Sequence, residues 1–339
     1  MKGIVACILA MGSVVFAGPR AGVAAANYHV IRTFTVGGEG FWDYLTSDPS
    51  SHRLYISRGS HVMVVNENSG KVIGDIPGTT GVHGIALAPR HHKGFTSNGG
   101  DNTVSVFDTR TLKVIEKVPV GQGPDAIAYE PVTDRVFTFN GRGQDSTAVD
   151  AATDKVVGTV PLNGRPEFAV ADGRGRIYNN IESTSEVAAI DAKSLSIVGR
   201  WSIAPGDGPS GISMDQNHRR VFSVCHNGLM TVLNADTGKI VATAPIGRGP
   251  DAAGFDPGEQ LAISSNGEGN LTLVHEDSPD SYHVVQSVST QVGARTMALD
   301  TRTHRIYVVT AQFGPPPAGA QGRFRRSMVP GSFVVLEVG

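Results

Sequence analysis

Three observations on the 339-residue chain predict an all-β fold, a seven-bladed β-propeller built from four-stranded antiparallel blades. One short passage recurs seven times at nearly constant spacing. The runs between its copies are short, apolar and bounded by turn formers. The first and last runs complement each other, which closes the set.

The recurring passage opens at Trp42 (WDYLTSDP), Val82 (VHGIALAP), Pro124 (PDAIAYEP), Pro166 (PEFAVAD), Pro209 (PSGISMD), Pro250 (PDAAGFDP) and Ala294 (ARTMALD). The spacings are 40, 42, 42, 43, 41 and 44 residues. Six residues into each copy stand Asp48, Ala88, Glu130, Asp172, Asp215, Asp256 and Asp300, opening a polar turn. A second apolar run follows, as in RLYIS, RVFTF and RIYVV. A third comes next, as in TVSVFD and MTVLNA, and a fourth, as in KVIEKVPV and KIVATAPI. β-Branched and aromatic runs of this length, bounded by Gly, Pro, Asn, Asp or Ser, are strands, and no long stretch carries a helical period. Four strands per period describe one blade. Radial packing buries the apolar faces that isolated meanders would leave wet.

Closure rests on the ends. HVIRTFTVGG, at 29–38, matches a fourth strand such as KVIEKVPVGQG, whereas FVVLEVG, from Phe333 on, is a third strand with nothing after it. Residues 29–36 are therefore expected to complete the seventh blade and remove an exposed edge that invites association.

Residues 1–26 stand apart. Lys2, an apolar run from Gly3 to Ala17 and the small residues Ala24-Ala25-Ala26 give a secretory signal layout, with cleavage before Asn27 or, as a second site, after Ala17. The run is short for a bilayer span and is interrupted by Gly18-Pro19-Arg20. The expected organisation is a signal peptide over 1–26 and one propeller domain over 27–339, periplasmic or secreted, monomeric, with no membrane span after signal removal. Losing Lys2 and Arg20 leaves 27 basic against 31 acidic residues, so no general attraction to nucleic acid or anionic lipid is expected. Composition agrees with a folded, turn-rich chain, at 40% hydrophobic and 18% charged residues with 42 glycines. Cys225 is the one cysteine of the mature chain, which excludes an internal disulfide. No Cys-x-x-Cys-His motif is present to attach haem, and no Cys/His set has zinc spacing.

The stretch VSVFDTRTLKVIEKVPVGQGPDAIAYEPVTDRVFTFN resembles the repeat of the YVTN-type propellers, including the YncE-like exported bacterial proteins. The resemblance covers essentially the whole mature chain and implies the scaffold rather than a chemistry. The namesake tetrapeptide is blurred, its nearest forms being Tyr55-Ile56-Ser57-Arg58 and Tyr307-Val308-Val309-Thr310.

In such a ring, ligands are expected at the central mouth, where inner strands begin and second-to-third loops converge. The inner-strand starts supply Asp43, His83, Asp125, Glu167, Ser210, Asp251 and Arg295, and the loops add His226. Asp43, Asp125, Asp251 and the Asn-Gly pairs at Asn98, Asn140, Asn227 and Asn266 recur because every blade turns the same corner, and turn chemistry accounts for them. His83, Ser210, Arg295 and His226 break the pattern and carry the stronger functional expectation. Four carboxylates at a mouth suit a divalent cation, and crowding raises their pKa values. Blade stacking near 10 Å argues that ring residues converge only at the narrow end. His83 and His226 stand three blades apart, which suits a ligand between them rather than one shared ion. The histidines of the first-to-second turns, His52, His91, His92, His218 and His304, are expected to be solvated, and Cys225 to be a buried, unreactive thiol.

The link at 311–332 breaks the repeat with 22 residues and places Arg323, Arg325 and Arg326 around Phe324. A loop of that length is either a tolerated insertion or a lid over the mouth. The function expected is an exported propeller that binds a small molecule or an envelope protein at its top face, without a catalytic motif. The alternative is a lactonase-like hydrolase using mouth carboxylates with or without a divalent metal.

Overall fold

The computed structural model describes residues 27–315 and 327–339. Among these residues the chain is all-β, with two three-residue 3-10 turns at Pro89–His91 and Glu182–Thr184. The signal expectation at 1–26 and the arginine cluster of the 311–332 link lie outside the described residues.

Five sheets have four antiparallel strands and one has seven. The seven-stranded sheet arises because the strand Val72–Ala88 serves two meanders. Its first part pairs with Gly59–Asn66, from Val72↔Val65 to Pro77↔His61, and its second part pairs with Lys93–Asn98, from Val82↔Asn98 to Ala88↔Lys93. The strand Val30–Thr35 lies beside the C-terminal strand Val334–Val338, with Phe34 opposite Val335 and Thr33 opposite Leu336. Arg32 adds an ion pair of 2.6 Å to the buried Glu337 across that seam.

The polar turn now has a cause in six of the repeats. Asp48, Glu130, Asp172, Asp215, Asp256 and Asp300 each accept a backbone N–H from two residues ahead, which folds the chain back into its second strand. The turn then needs one residue in the left-handed region, filled by His52, His92, Asp134, Gly175, Arg219, Gln260 and His304 in the successive repeats.

Seven hydrophobic clusters stand among the described residues, each between two repeats. Phe95, Val104 and Val106 meet Val136 and Val149, for example, and Phe222 and Val224 meet Ala262 and Val274. One cluster joins the first repeat to the last, packing Leu45, Leu54 and Ile56 on Tyr307, Val309, Phe333 and Val335. Alternating side chains on the central strands thus enter the clusters on both faces of a sheet, which is why these strands read as nearly continuous apolar runs.

Candidate functional site

A register shift in the first strand brings the site together. Pairing with the second strand is interrupted between Val82 and Ile85, between Pro166 and Ala169, between Pro209 and Ile212, and between Pro250 and Ala252. The strand Pro124–Glu130 shows the same break against Thr138 and Asn140. His83, Glu167, Ser210 and Asp251 fall inside the interrupted segments, and Asp125 occupies the same place in its strand. A bulge bends the strand and re-aims its side chain. The ring residues therefore meet across repeats instead of standing a blade spacing apart.

The contacts are direct. His83 Nδ1 lies 2.7 Å from Asp43 Oδ2 and 3.5 Å from Asp125 Oδ1. Arg295 Nε lies 2.8 Å from Asp251 Oδ2, and its Nη2 lies 3.8 Å from Asp43 Oδ1. Ser210 donates to Asp251 Oδ1 at 3.1 Å. This corrects the turn-chemistry account of the recurring aspartates, because the carboxylates of Asp43, Asp125 and Asp251 bond residues of other repeats rather than their own backbone. The Asn residues differ too. Asn98, Asn140 and Asn266 are buried at the ends of second strands and tie them to the third, as Asn140 Nδ2 donates to Asp145 at 2.6 Å and Thr147 at 3.0 Å.

Burial and crowding set the charges. Burial pushes Asp125 up to about 6, with the Asp43 charge adding to the rise and His83 opposing it. Asp251 rises for the same first reason, against the pull of Arg295. His83 also rises: burial works against its charged form, but the Asp43 hydrogen bond and the charges of Asp125 and Asp43 outweigh it.

Glu167 takes a different partner. Its carboxyl is hydrogen-bonded to that of Glu182, and burial, Asp125 and Glu182 together push it up to about 9. Arg165 bridges the pair, 3.4 Å from Glu167 and in direct contact with Glu182, and His226 Nε2 lies 3.5 Å from Glu182. Asp43, His83, Asp125, Ser210, Asp251 and Arg295 thus form one connected set. Glu167 and His226 form a second around Glu182.

A cavity of about 450 Å³ opens above the first set. Phe41, Trp42 and Phe313 form an aromatic wall, and Asp43, His83 and Arg295 supply the charge. Trp42 packs between Phe313, at 5.8 Å, and Phe333, at 5.2 Å. Fully buried Arg58 fixes the loop before Trp42. It donates to the carbonyls of Gly37 and Gly40, both at 3.0 Å, and lies 3.7 Å over the Phe333 ring. Burial lowers its pKa to about 10. Gly40 must be glycine, since a Cβ there would stand 2.4 Å from the Arg58 carbonyl oxygen at a φ of +91°. Tyr44 and Phe168, from the first and fourth repeats, stack at 4.0 Å across the ring.

The base of the 311–332 link is a short ladder, with Phe313 bridged to Met328 and Gly314 N–H donating to Ser327 at 2.9 Å. It brings Phe313 to the cavity. Arg323, Phe324, Arg325 and Arg326 lie outside the described residues.

The sequence reading missed Tyr44, Phe168, Glu182 and Arg165. Two had a signal. Tyr44 and Phe168 stand where other copies have Gly84, Ala126, Gly211 or Ala252, and Glu182 stands where other loops have the glycine of Asn-Gly. Of the turn histidines, His52, His92 and His218 are exposed as expected, whereas His91 and His304 are half-buried, and three of the five make ion pairs. His91 reaches Asp134 at 2.7 Å, His304 reaches Asp256 at 2.8 Å and His218 reaches Glu276 at 3.1 Å, each in a neighbouring repeat. Cys225 is fully buried, which pushes its thiol up to about 11.

Among the described residues, three groups place metal-ligating atoms within 4.8 Å of one another: Asp43–His83–Asp125, Asp215–His218–Glu276 and His275–Asp277–His283. No helix among them is long and apolar enough to cross a membrane.

No family model matches the chain. No curated protein matches it. Solved structures do. RRP9 WD40 repeats align with a TM-score of 0.76 at 10% identity, over 93% of this chain and 98% of that one. U3-55K gives 0.75 at 11% identity, over 94% and 99%. A chain of hydrazine synthase from Kuenenia stuttgartiensis gives 0.68 at 18% identity, over 78% and 91%. At such identities the likeness shows the fold alone, and that fold is a β-propeller of the kind built from WD40-type repeats.

Proposed function

We propose that the chain is an exported seven-bladed propeller of the YVTN type, closed by residues 29–36, whose mouth binds a small polyhydroxylated ring molecule of the sugar or lactone class. Seven repeats, a strand shared by the first two meanders and a cluster joining first to last repeat support the closed ring. The signal layout of residues 1–26 supports export.

The observation that carries the ligand reading is the cavity itself. Aromatic faces at Phe41, Trp42 and Phe313 stack on the C–H face of a saturated ring, and the mixed charges of Asp43, His83 and Arg295 bond its hydroxyls. A ligand of either net charge would meet an opposing group on the same floor. The lactonase-like alternative draws on Glu167, which keeps its proton near neutral pH, as a general acid does.

The test is a thermal-shift screen of the mature chain against aldonolactones, hexoses, amino acids and dicarboxylates, repeated on Asp43→Asn and Arg295→Gln. Sugars or lactones should raise Tm in the parent and act about tenfold more weakly on the folded variants. A parent that responds to no member, or variants that respond equally, would refute the reading. Hydrolysis of a bound lactone, abolished in Glu167→Gln, would decide for the enzyme.

A further inference from the structure

We propose that Asp43, His83 and Asp125 form a divalent-metal site of the zinc kind at the floor of the mouth, with an open coordination position facing the aromatic cavity. Three consecutive repeats supply one ligand each, and the bulged strand ends aim His83 and Asp125 towards Asp43, which stands just before its own strand. His83 Nδ1 stands between two carboxylate oxygens at 2.7 and 3.5 Å, and the three ligand atoms lie within 4.8 Å of one another. The imidazole cannot turn freely. Its other edge lies against Gly99, where even a Cβ would come within 2.9 Å of Nε2.

Zinc holds imidazole nitrogen and carboxylate oxygen at about 2.0–2.2 Å, so tetrahedral ligand atoms stand roughly 3.3–3.5 Å apart. The His83–Asp125 separation already has that value. The His83–Asp43 separation opens by under about 1 Å once a metal replaces the proton the two share. One nitrogen and two oxygens favour zinc over calcium or magnesium, which take oxygen alone, and two carboxylates neutralise a dication.

The supports of the ligands are in place. Asp43 N–H donates to Ser57 Oγ at 3.0 Å, and Ser97 Oγ donates to the Asp125 carbonyl. A second observation points the same way. The buried Tyr44 hydroxyl has no hydrogen-bond partner, and it lies in the field of Asp125, Glu167, Asp43 and Asp251. A metal-bound water at the ring would satisfy it. Asp43 and His83 both line the cavity, whereas neither of the other two metal-ligating groups contributes to its lining. With three protein ligands, the fourth position is left for water or for an oxygen donor of the cavity's occupant.

The metal is separable from the ligand reading, on which only the occupant of the fourth position rests. Residues 27–339, stripped with a chelator, are titrated with zinc chloride by calorimetry and with cobalt(II) by visible absorption. The expected result is one equivalent bound and a cobalt spectrum of tetrahedral intensity. Affinity should fall about a hundredfold or more in His83→Gln and in Asp125→Asn, and stay unchanged in His283→Gln. Zinc located by anomalous scattering in crystals of the parent answers the question even if a variant fails to fold.

No uptake of zinc overturns the proposal. So does undiminished affinity in folded His83→Gln, or loss in His283→Gln instead. If zinc does not bind but Trp42 fluorescence responds to a sugar or lactone, the metal falls and the cavity reading stands. The opposite pair of results removes the organic ligand and keeps the metal.

Discussion

Replacing Glu167 with Gln should remove a pH-dependent loss of stability. Glu167 has a folded-state pKa of about 9 against an ordinary 4.5, raised first by burial and then by Asp125 and Glu182. A carboxyl raised in this way holds its proton more tightly when folded. Its contribution is complete below the ordinary value and is lost as pH climbs through the folded value. Across that window each pH unit costs up to about 1.4 kcal/mol. The Glu167 side chain is only 16% exposed, so solvent screening discounts little of this. Between about pH 6 and pH 8 the loss comes to about 2–3 kcal/mol. For a chain of this size that lowers Tm by roughly 5 °C. Gln is the informative replacement because its amide donates to Glu182 as the protonated acid does, without a proton to lose. Tm should be measured across that range for parent and variant, with the other ring groups unchanged in both. The parent should fall more steeply by the stated amount. Parallel profiles would refute the assignment of a shared proton to the Glu167–Glu182 pair.

The remaining predictions concern the scaffold. Gly94→Val should cost about 1–3 kcal/mol in denaturant unfolding, because a Cβ at Gly94 would stand 2.1 Å from the buried Phe107 ring; a change within experimental error would contradict that packing. Deleting residues 27–36 exposes the edge of Val334–Val338, so the truncated chain should aggregate or melt well below the parent. A monomer of unchanged Tm would show that this strand closes nothing. Cys225 should resist an aromatic disulfide reagent at about pH 8 until the chain unfolds, since its buried thiol ionises near about 11; prompt reaction of the native chain would place the thiol at the surface.

Much of the scaffold was legible because each repeat carries its own local instructions. Asp256 and Asp300 announce their turns, and runs such as RVFTF announce central strands, through chemistry that acts within a few residues. The pairing of residues 30–35 with the C-terminal strand was legible for the same reason, as one fourth strand lacked a third and one third strand lacked a fourth. The mouth was legible as a set of positions, not as a set of contacts. The approach of His83 to Asp43 and Asp125 depends on strand bends in two sheets, at Val82–Ile85 and at Pro124–Ile127, and no local pattern encodes the sum. Glu182 illustrates the limit, since it pairs with Glu167 through a loop whose departure from Asn-Gly is visible but whose reach is not.

If the cavity walled by Phe41, Trp42 and Phe313 binds the ligand, an indole set in that wall reports the binding. The chain has two tryptophans, so Trp201→Phe leaves Trp42 as the sole indole reporter, set in that wall. Titrating this variant with the sugar or lactone that gives the largest thermal shift tests this directly. Trp42 emission should change in step with calorimetric saturation, and the response should disappear in Asp43→Asn. Full calorimetric binding with Trp42 emission unchanged would place the ligand elsewhere and contradict the account.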